Sequence, residues 1–358
     1  MNGKGFLAAV FAAIAAAAAV AQVQPKVTAN DLKADVSFLA SDALEGRATP
    51  SKGLDIAAEY IAAEFRRAGL EPAGDDGYFQ TADLKSVLSL LPAGGPVQNS
   101  LARSLAPAAQ QPIRLRNVIG VLRGSDPALK DTYLVLTAHY DHLGVGGSGE
   151  GDHIFNGAND DASGTSSVIE IAKALAALPQ RPRRSIVFMM LFGEELGVLG
   201  SRYYCQHPVF PLARTVADIN LEQLGRTDDN EGPRLLQFNL TGFDYTDIAA
   251  FLSKAGGETG IKVVKDGRNS DSFFSRSDNT AFAEAGVPST TLSVSYIYPD
   301  YHRTSDKWPK LDYDNMAKVD DAVALGVYRI ADSVEAPRWN KANPKTARYV
   351  KARENKAN

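Results

Sequence analysis

The sequence predicts an α/β fold, in which a central mixed but mostly parallel β-sheet is flanked by helices as a three-layer sandwich. Short apolar runs alternate with helix-like segments, which favours such a sheet. The chain has 358 residues, of which 44% are hydrophobic, so it can bury a sizeable core. Its formal charge of -4 and lack of nucleic-acid motifs predict no nucleic-acid partner.

The first 21 residues have the pattern of a secretory signal peptide. Lys4 precedes an apolar run from Phe6 to Val20, and the triplet Ala19-Val20-Ala21 suits signal peptidase. We predict cleavage after Ala21, a secreted or periplasmic protein, and no membrane association once the signal is removed. Cys205 is the single cysteine, so an intramolecular disulfide is impossible.

An amphipathic helix and an irregular segment are expected next. Apolar residues recur at helical spacing as Ile56, Tyr60, Ile61 and Phe65, and Gly69 is placed to end that helix. Residues 88–112 are rich in Pro, Gly, Ser and Ala, which predicts a surface excursion.

Four short apolar runs are the predicted strands. They are TYLVLTA (132–138), SIVFMMLF (185–192), TVADINL (215–221) and STTLSVS (289–295). A good helix, SGTSSVIEIAKALAAL, lies between the first two. In sheets of this kind, binding and catalytic residues gather at the carboxyl ends of the strands.

Two later regions are expected to be less regular. Residues 225–276 have poor periodicity, so we predict a lid or specificity region there. Residues 336–358 form a basic tail with seven Lys or Arg and one Glu. A solvated, partly frayed end is expected for that composition.

Acidic residues and histidines closely follow the predicted strands and also fill the loop FNGANDDASG. They are His139, Asp141, His142, Asp160, Asp161, Glu194, Glu195, Glu222 and His302. Carboxylates and imidazoles gathered at one sheet end would repel or stay wet unless a cation neutralises them. A mixture of histidine nitrogen and carboxylate oxygen favours zinc.

Six motifs together resemble the two-zinc aminopeptidases of metallopeptidase clan MH, which also contains glutamate carboxypeptidases and glutaminyl cyclases. In order they are HYDHLG, NGANDDASG, FGEELGVLGSRYY, NLEQLGR, SDNTAFAEAGVPS and DYHRTSD. The leading FLASDALEGRATPSKGLDIAAEYIAAEF is similar to the opening of bacterial exported members. This resemblance, over residues 31–313, implies a zinc-dependent exopeptidase fold, one catalytic domain over 22–335, and peptide substrates.

The resemblance also implies a set of metal ligands for two zinc ions per chain. Asp160 would bridge them, His139 and Glu222 would complete one, and Glu195 with His302 would complete the other. The general base would be Glu194, adjacent to a ligand but outside the ligand set.

Supporting roles are implied for four more residues. Asp141 would hold the second ring nitrogen of His139, and Tyr301 would donate to the oxyanion of the reaction. Asp161 and Asp306 would support the ligands, although a helix-capping role for Asp306 is an equal alternative. In the family the peptide bond between the paired aspartates is often cis.

One departure from the family affects the ligand set. The aminopeptidases usually have Asp where this chain has Glu222, so Asp218, four residues earlier, is a fallback ligand. His142 and His153 are expected to be exposed or bonded for structural reasons.

The leading hypothesis is an aminopeptidase that hydrolyses the N-terminal peptide bond. A glutaminyl cyclase with one zinc is the closest alternative, followed by a glutamate carboxypeptidase-like exopeptidase. A non-catalytic binding protein is disfavoured because the ligands and Glu194 are all present. The sequence does not predict the oligomeric state or the preferred N-terminal residue.

Overall fold

The computed structural model of the protein describes residues 24–91, 95 and 115–357. The predicted signal peptide and most of the excursion at 88–112 lie outside these residues. The helices are α1 (Ala29–Leu39), α2 (Lys52–Arg67), α3 (Leu84–Ser89), α4 (Ser163–Ala176), α5 (Leu199–Gln206), α6 (Ile248–Thr259), α7 (Asn269–Ser272), α8 (Asn279–Glu284), α9 (Tyr313–Asp332) and α10 (Ala347–Ala357).

The strands include all four that the sequence predicts. They are β1 (Glu71–Pro72), β2 (Phe79–Ala82), β3 (Leu115–Leu122), β4 (Tyr133–His139), β5 (Gly144–Val145), β6 (Ile154–Phe155), β7 (Ser185–Leu191), β8 (Thr215–Leu221), β9 (Asp228–Asp229), β10 (Gly232–Pro233), β11 (Gln237–Leu240), β12 (Lys262–Val264) and β13 (Ser289–Ser293). Strand β3 was not predicted from the sequence, although it is buried along its whole length.

The main sheet is mixed, as predicted, with order β1-β3-β7-β4-β8-β13-β11-β12 and β2 beside β3. Its centre, β7-β4-β8-β13, is parallel throughout. The flanking pairs β3–β7 and β11–β13 are antiparallel. The fold is therefore the expected three-layer arrangement, with antiparallel pairs on both sides of a parallel centre.

Alternation along the central strands builds two separate cores. In β7, Ile186 and Phe188 pack on one face of the sheet, with helices α1, α2, α4, α6 and α9. Val187 and Met189 pack on the other face, with α5 and α8. Both faces are apolar because helices cover both, which explains the unbroken hydrophobic runs of these strands.

Helix α2 is the predicted amphipathic helix. It begins where Ser51 Oγ accepts a hydrogen bond from Leu54 N at 3.0 Å, a standard N-cap. Ile61 and Phe65 are fully buried, whereas Ile56 is 36% exposed. The buried face of α2 therefore includes Ile61 and Phe65 of the predicted apolar residues but leaves Ile56 partly exposed.

The basic tail is docked through a few residues and is not frayed over 336–357, although most of its charged side chains are exposed, as expected. Trp339 stacks on Tyr349 at 4.9 Å between ring centroids, and Trp339 Nε1 donates to Gly286 O at 3.0 Å. Arg353 Nη1 donates to Leu212 O at 2.9 Å. The two aromatic rings supply apolar contact that the count of charges did not reveal.

Much of the region 225–276 belongs to the main fold. It contributes β11 and β12 to the sheet, and helix α6 packs on α9 through the buried Ile248 and Leu252. None of the helices in residues 24–91, 95 and 115–357 is long and apolar enough to cross a membrane.

Candidate functional site

Side chains at the carboxyl ends of the parallel strands converge at one edge of the sheet. His139 is the last residue of β4, and Glu222 directly follows β8. Glu194 and Glu195 follow shortly after β7. Because these strands are parallel neighbours, their carboxyl ends meet at the same edge.

The loop before α4 brings Asp160 to this edge. Gly157 precedes it with φ 58°, and a Cβ at Gly157 would lie 2.5 Å from the ring of His142. Only glycine fits this position, since it tolerates both the left-handed backbone and the close approach. The peptide bond from Asp160 to Asp161 is cis, as the resemblance implies.

Two further carboxylates hold this loop through backbone hydrogen bonds. Asp306 accepts from Asn159 N at 3.0 Å and from Asp160 N at 3.2 Å. Asp161 accepts from Gly164 N at 2.9 Å and from Gln223 N at 3.1 Å. Asp306 thus holds the backbone of the loop at Asp160, and Asp161 ties the loop to the segment that follows β8.

We call the converging set the edge cluster. It consists of His139, His142, Asp160, Glu194, Glu195, Glu222 and His302. Within it, His139 Nε2 lies 3.3 Å from Asp160 Oδ1 and 3.6 Å from Glu222 Oε1. On the other side of Asp160, His302 Nε2 lies 3.1 Å from Asp160 Oδ2 and 3.3 Å from Glu195 Oε2.

These distances fit ligands that share metal ions. Tetrahedral zinc with bonds of about 2.0 to 2.2 Å places its ligand atoms about 3.3 to 3.6 Å apart. Two groups have ligand atoms mutually within 4.8 Å: His139 with Glu194 and Glu222, and His142 with Asp160 and Glu195. The donor set of imidazole nitrogen and carboxylate oxygen therefore fits zinc.

Unpaired polar atoms in the edge cluster support the same conclusion. Among the described residues, the buried atoms His139 Nε2, Asp160 Oδ2 and Glu195 Oε1 make no well-oriented hydrogen bond, despite their short distances to one another's side chains. A buried polar atom without a partner is costly. A bound cation would satisfy all three.

His142 is a member of the edge cluster that the sequence analysis did not assign as a metal ligand. Its ring is buried, and Nδ1 lies 2.7 Å from Glu195 Oε1. Neither ring nitrogen has a hydrogen-bond partner among the described residues, which differs from the expected exposed or structurally bonded histidine. Its position three residues after His139, on the turn leaving the same strand, was the available signal.

Neighbouring side chains and burial shift the pKa values of several residues in the edge cluster. Burial alone would lower the pKa of His139, but its contacts with Asp141, Asp160 and Glu222 hold that pKa well above 6.5. Burial alone would raise the pKa of Asp160, but contacts with the flanking histidines hold it below 3.8. Burial raises the pKa of the Glu194 carboxyl well above 4.5.

Asp141 lies behind His139. Its Oδ1 is 3.5 Å from His139 Nδ1, and the same oxygen accepts from Glu194 N at 3.1 Å. Thr49 Oγ1 donates to Asp141 Oδ2 at 3.1 Å. One buried carboxylate thus contacts both the histidine and the backbone of Glu194.

An open cavity adjoins the edge cluster. Asp160, Glu194, Glu195 and Glu222 line one part of it, and Tyr301 lies beside them. The ring of Tyr301 stacks on His302 at 4.0 Å between centroids. Burial and then the nearby carboxylates raise the pKa of Tyr301, so its hydroxyl is protonated and able to donate.

The fallback ligand Asp218 is placed elsewhere. It is fully buried in β8 and accepts from Thr137 Oγ1 at 3.0 Å. Neither group of possible metal ligands includes it. Strand β8 therefore presents Glu222, not Asp218, to the edge cluster.

Arg47 is a second residue that sequence reasoning missed. Its buried guanidinium donates to Tyr140 O at 2.9 Å, to Asn156 O at 2.8 Å and to Gly157 O at 3.0 Å. These carbonyls flank the segments that carry His139 and Asp160. Arg47 therefore ties the two segments together, and nothing in its local sequence pattern indicated this role.

Sequence comparison finds similarity to one peptidase family. The profile of peptidase family M28 matches residues 117–327. Aminopeptidase YwaD of Bacillus subtilis is 26% identical over 239 residues, which covers 64% of this chain and 48% of that protein. The chain spans less than two thirds of the length of the next curated relatives as well.

Solved structures share the fold at low identity. The zinc aminopeptidase BSAP of Bacillus subtilis superposes with a TM-score of 0.62 at 18% identity, covering 87% of this chain and 96% of that one. The glutaminyl cyclase of Bacteroides thetaiotaomicron superposes with a TM-score of 0.59 at 18% identity, covering 85% and 99%. At such identities the likeness is one of fold.

Proposed function

Because this chain belongs to peptidase family M28, we propose that it is a zinc-dependent aminopeptidase that hydrolyses the N-terminal peptide bond of peptides. The observation that carries the proposal is the edge cluster, in which histidines and carboxylates flank Asp160 beside an open cavity. The names of the relatives, an aminopeptidase and a zinc aminopeptidase, agree with it.

In the proposed ligand set, Asp160 would contribute to both zinc ions. His139 and Glu222 would hold one ion, and Glu195 with His302 would hold the other. The short distance from His142 Nδ1 to Glu195 Oε1, 2.7 Å, supports adding His142 beside the second pair. Bound zinc acts as a Lewis acid that polarises a carbonyl oxygen and acidifies water.

Glu194 is the proposed general base. Its backbone N–H is fixed by Asp141 at 3.1 Å, and its carboxylate lines the cavity. It would accept a proton from the attacking water and return that proton to the departing amine nitrogen as the C–N bond breaks. The Tyr301 O–H would donate a hydrogen bond to the negative oxygen that develops on the attacked carbonyl.

Activity on defined substrates tests the proposal. Purified protein loaded with zinc is offered peptides and aminoacyl anilides, and we expect release of the free N-terminal amino acid. Metal analysis should find about two zinc ions per chain. No release across a broad panel would contradict the proposal, and cyclisation of an N-terminal glutaminyl peptide without hydrolysis would favour the cyclase.

We also propose export, with residues 1–21 removed. This rests on the signal-like N-terminus. Mass spectrometry of the mature protein should find Gln22 at its amino terminus, whereas retention of Met1 would contradict the proposal.

Residues 225–276 remain the proposed specificity region. Thr241, Phe273 and Arg276 line the cavity that adjoins the edge cluster. This placement supports a role in recognising the side chain next to the cleaved bond.

A further inference from the structure

The cavity beside the edge cluster has a second wall, away from the carboxylates. The volume of the cavity is about 290 Å³, enough for one amino-acid side chain. Its second wall is built from polar and aromatic residues, with few aliphatic groups. The lining residues that matter here are Gln223, Thr241, Phe273, Arg276, Ser277 and Tyr296.

Arg276 supplies a positive charge to this wall. Its guanidinium carbon lies 4.4 Å from the ring centroid of Phe273, which in turn packs on Tyr296 at 5.0 Å between centroids. No carboxylate of the described residues forms an ion pair with Arg276, whereas the nearby Arg268 lies 3.3 Å from Glu231 Oε1. The stacked Arg276 therefore has N–H groups free to bind a ligand.

Three buried hydroxyls add hydrogen-bond donors. Ser277 Oγ accepts from Asn220 Nδ2 at 2.9 Å, and Thr241 Oγ1 accepts from Thr291 N at 2.9 Å. In each case the hydroxyl hydrogen stays available. Tyr296 is 5% exposed, and its hydroxyl has no hydrogen-bond partner among the described residues.

Donors outnumber acceptors on this wall. Gln223 Oε1 is a buried acceptor without a partner in the described chain, but it is one acceptor beside the donors of Arg276, Ser277, Thr241 and Tyr296, which line the same cavity. A group that satisfies several donors at once, including a guanidinium, is a carboxylate. From this geometry we infer that the enzyme selects peptides whose first residue is acidic, a conclusion that rests on the proposed aminopeptidase function.

An apolar first residue fits this wall poorly. A leucine side chain would offer no hydrogen-bond partner to the hydroxyls of Tyr296 and Ser277. Sites built to hydrogen-bond a ligand discriminate strongly against analogues that lack the partner group. An acidic side chain would instead accept hydrogen bonds from these donors. At the other end of the cavity, the metal ions proposed for the edge cluster would offset the charge of its carboxylates.

Substrate series test the inference. Zinc-loaded protein is assayed with glutamyl, aspartyl, glutaminyl, leucyl and lysyl 4-nitroanilides, and kcat/KM is compared. We expect the glutamyl or aspartyl substrate to exceed the leucyl substrate by about 10-fold or more, as charged hydrogen bonds imply. Preference for leucyl or lysyl substrate, in a protein that does turn over anilides, overturns the inference and leaves the aminopeptidase intact.

Variants at Arg276 sharpen the test, since its exposed side chain can be changed without disturbing the core. Arg276→Gln should lower kcat/KM for the acidic substrate about 10-fold and change that for leucyl less than about 2-fold. Arg276→Glu should favour the lysyl substrate. Arg268→Gln is the matched control and should change neither, because Arg268 does not line this cavity and is paired with Glu231. Equal losses on acidic and leucyl substrates in Arg276→Gln overturn the inference.

Two further arms distinguish related outcomes. Leucyl-glycine is compared with leucyl-glycinamide, because a loss in Arg276→Gln confined to the free dipeptide would assign Arg276 to the chain terminus and overturn the inference. Calorimetric binding of L-glutamate and L-leucine needs no turnover. If no substrate is cleaved, the aminopeptidase proposal fails. Glutamate binding that is tighter than leucine binding, and that Arg276→Gln weakens, would still support a pocket for an acidic side chain. Equal binding of the two amino acids would overturn the inference.

Discussion

Two clusters of buried carboxylates differ in what compensates their charge. The first is the edge cluster. The second, which we call the helix cluster, consists of Asp35, Tyr60, Glu64, Glu170 and Lys173 on helices α1, α2 and α4. In the helix cluster Lys173 Nζ lies 2.5 Å from Glu64 Oε2 and 2.6 Å from Glu170 Oε1. The chain thus provides its own cation there.

The edge cluster has no such cation. Within the described chain, no Lys or Arg forms an ion pair with Asp160, Glu195 or Glu222, whose ion-pair partners are all histidines. Buried carboxylates need compensation, and at this edge only imidazoles and the proposed zinc ions are placed to supply it. Of the two clusters, the one that fits a metal is therefore the one without a lysine or arginine of its own.

The largest expected effect separates catalysis from metal binding within the edge cluster. Glu194→Gln should lower kcat about 1,000-fold, because general acid–base catalysis contributes roughly 100- to 10,000-fold, while zinc content stays unchanged. Steady-state kinetics and metal analysis of one preparation check both. Glu195→Gln is the control and should lose zinc. Near-normal activity in Glu194→Gln would remove it from the mechanism.

Metal removal tests the contrast itself. Chelation should abolish activity and lower the free energy of unfolding by about 4 kcal/mol, if the metal is held at roughly 1,000 times its dissociation constant. Thermal unfolding with and without chelator measures the difference, and zinc should restore it. Lys173→Met should leave that difference unchanged, because Lys173 belongs to the helix cluster and contacts none of the possible metal ligands. Unfolding that is insensitive to chelator would contradict an external cation at the edge cluster.

Removing the Lys173 cation from the helix cluster should lower the stability of the protein without lowering its activity. Lys173→Met leaves Glu64 and Glu170 buried with less compensation, which should cost about 3 kcal/mol in the free energy of unfolding. Urea denaturation measures the loss, and kcat of the folded fraction should not change. Lys254→Met, an exposed lysine on α6, serves as the control. A stability equal to that of the control would show that Lys173 does not compensate the cluster.

The strands and most of the edge cluster were predictable, because local sequence determines both. Parallel strands buried on both faces read as unbroken apolar runs, as TVADINL does at β8. Residues such as His139 and Glu222 lie at or directly after the end of a strand, so the parallel strands bring them to the same edge of the sheet. The position of Glu222 could therefore be predicted without knowing the geometry of any loop.

Other features depended on contacts between distant segments. The ring of His142 is placed by packing against Gly157, and Arg47 binds carbonyls about 100 positions away in the chain. The tail packs because Trp339 meets Phe274 and Tyr349. None of these contacts leaves a periodic or compositional pattern, so only the fold shows them.

The smallest expected effect is a pH dependence in the helix cluster. Burial, against a hydrogen bond from Tyr60, raises the pKa of Asp35 from 3.8 to about 8. The Asp35 side chain also faces Lys173 and Glu170. At pH values between these two pKa values, Asp35 holds a proton in the folded state that it has released in the unfolded state. Its stabilising effect is therefore complete below about pH 4 and is lost as pH rises toward 8.

Asp35→Asn removes this proton while keeping a donor and an acceptor at the same position. Between pH 5 and 7, the free energy of unfolding should therefore fall less steeply in the variant than in wild type. We expect the two slopes to differ by about 1 kcal/mol per pH unit. Urea denaturation of wild type and variant at several pH values measures the two slopes. Asp31→Asn, an exposed carboxylate on α1, is the control. Equal slopes in wild type and Asp35→Asn would mean that Asp35 is ionised in the folded protein, and that Lys173 alone compensates all three carboxylates.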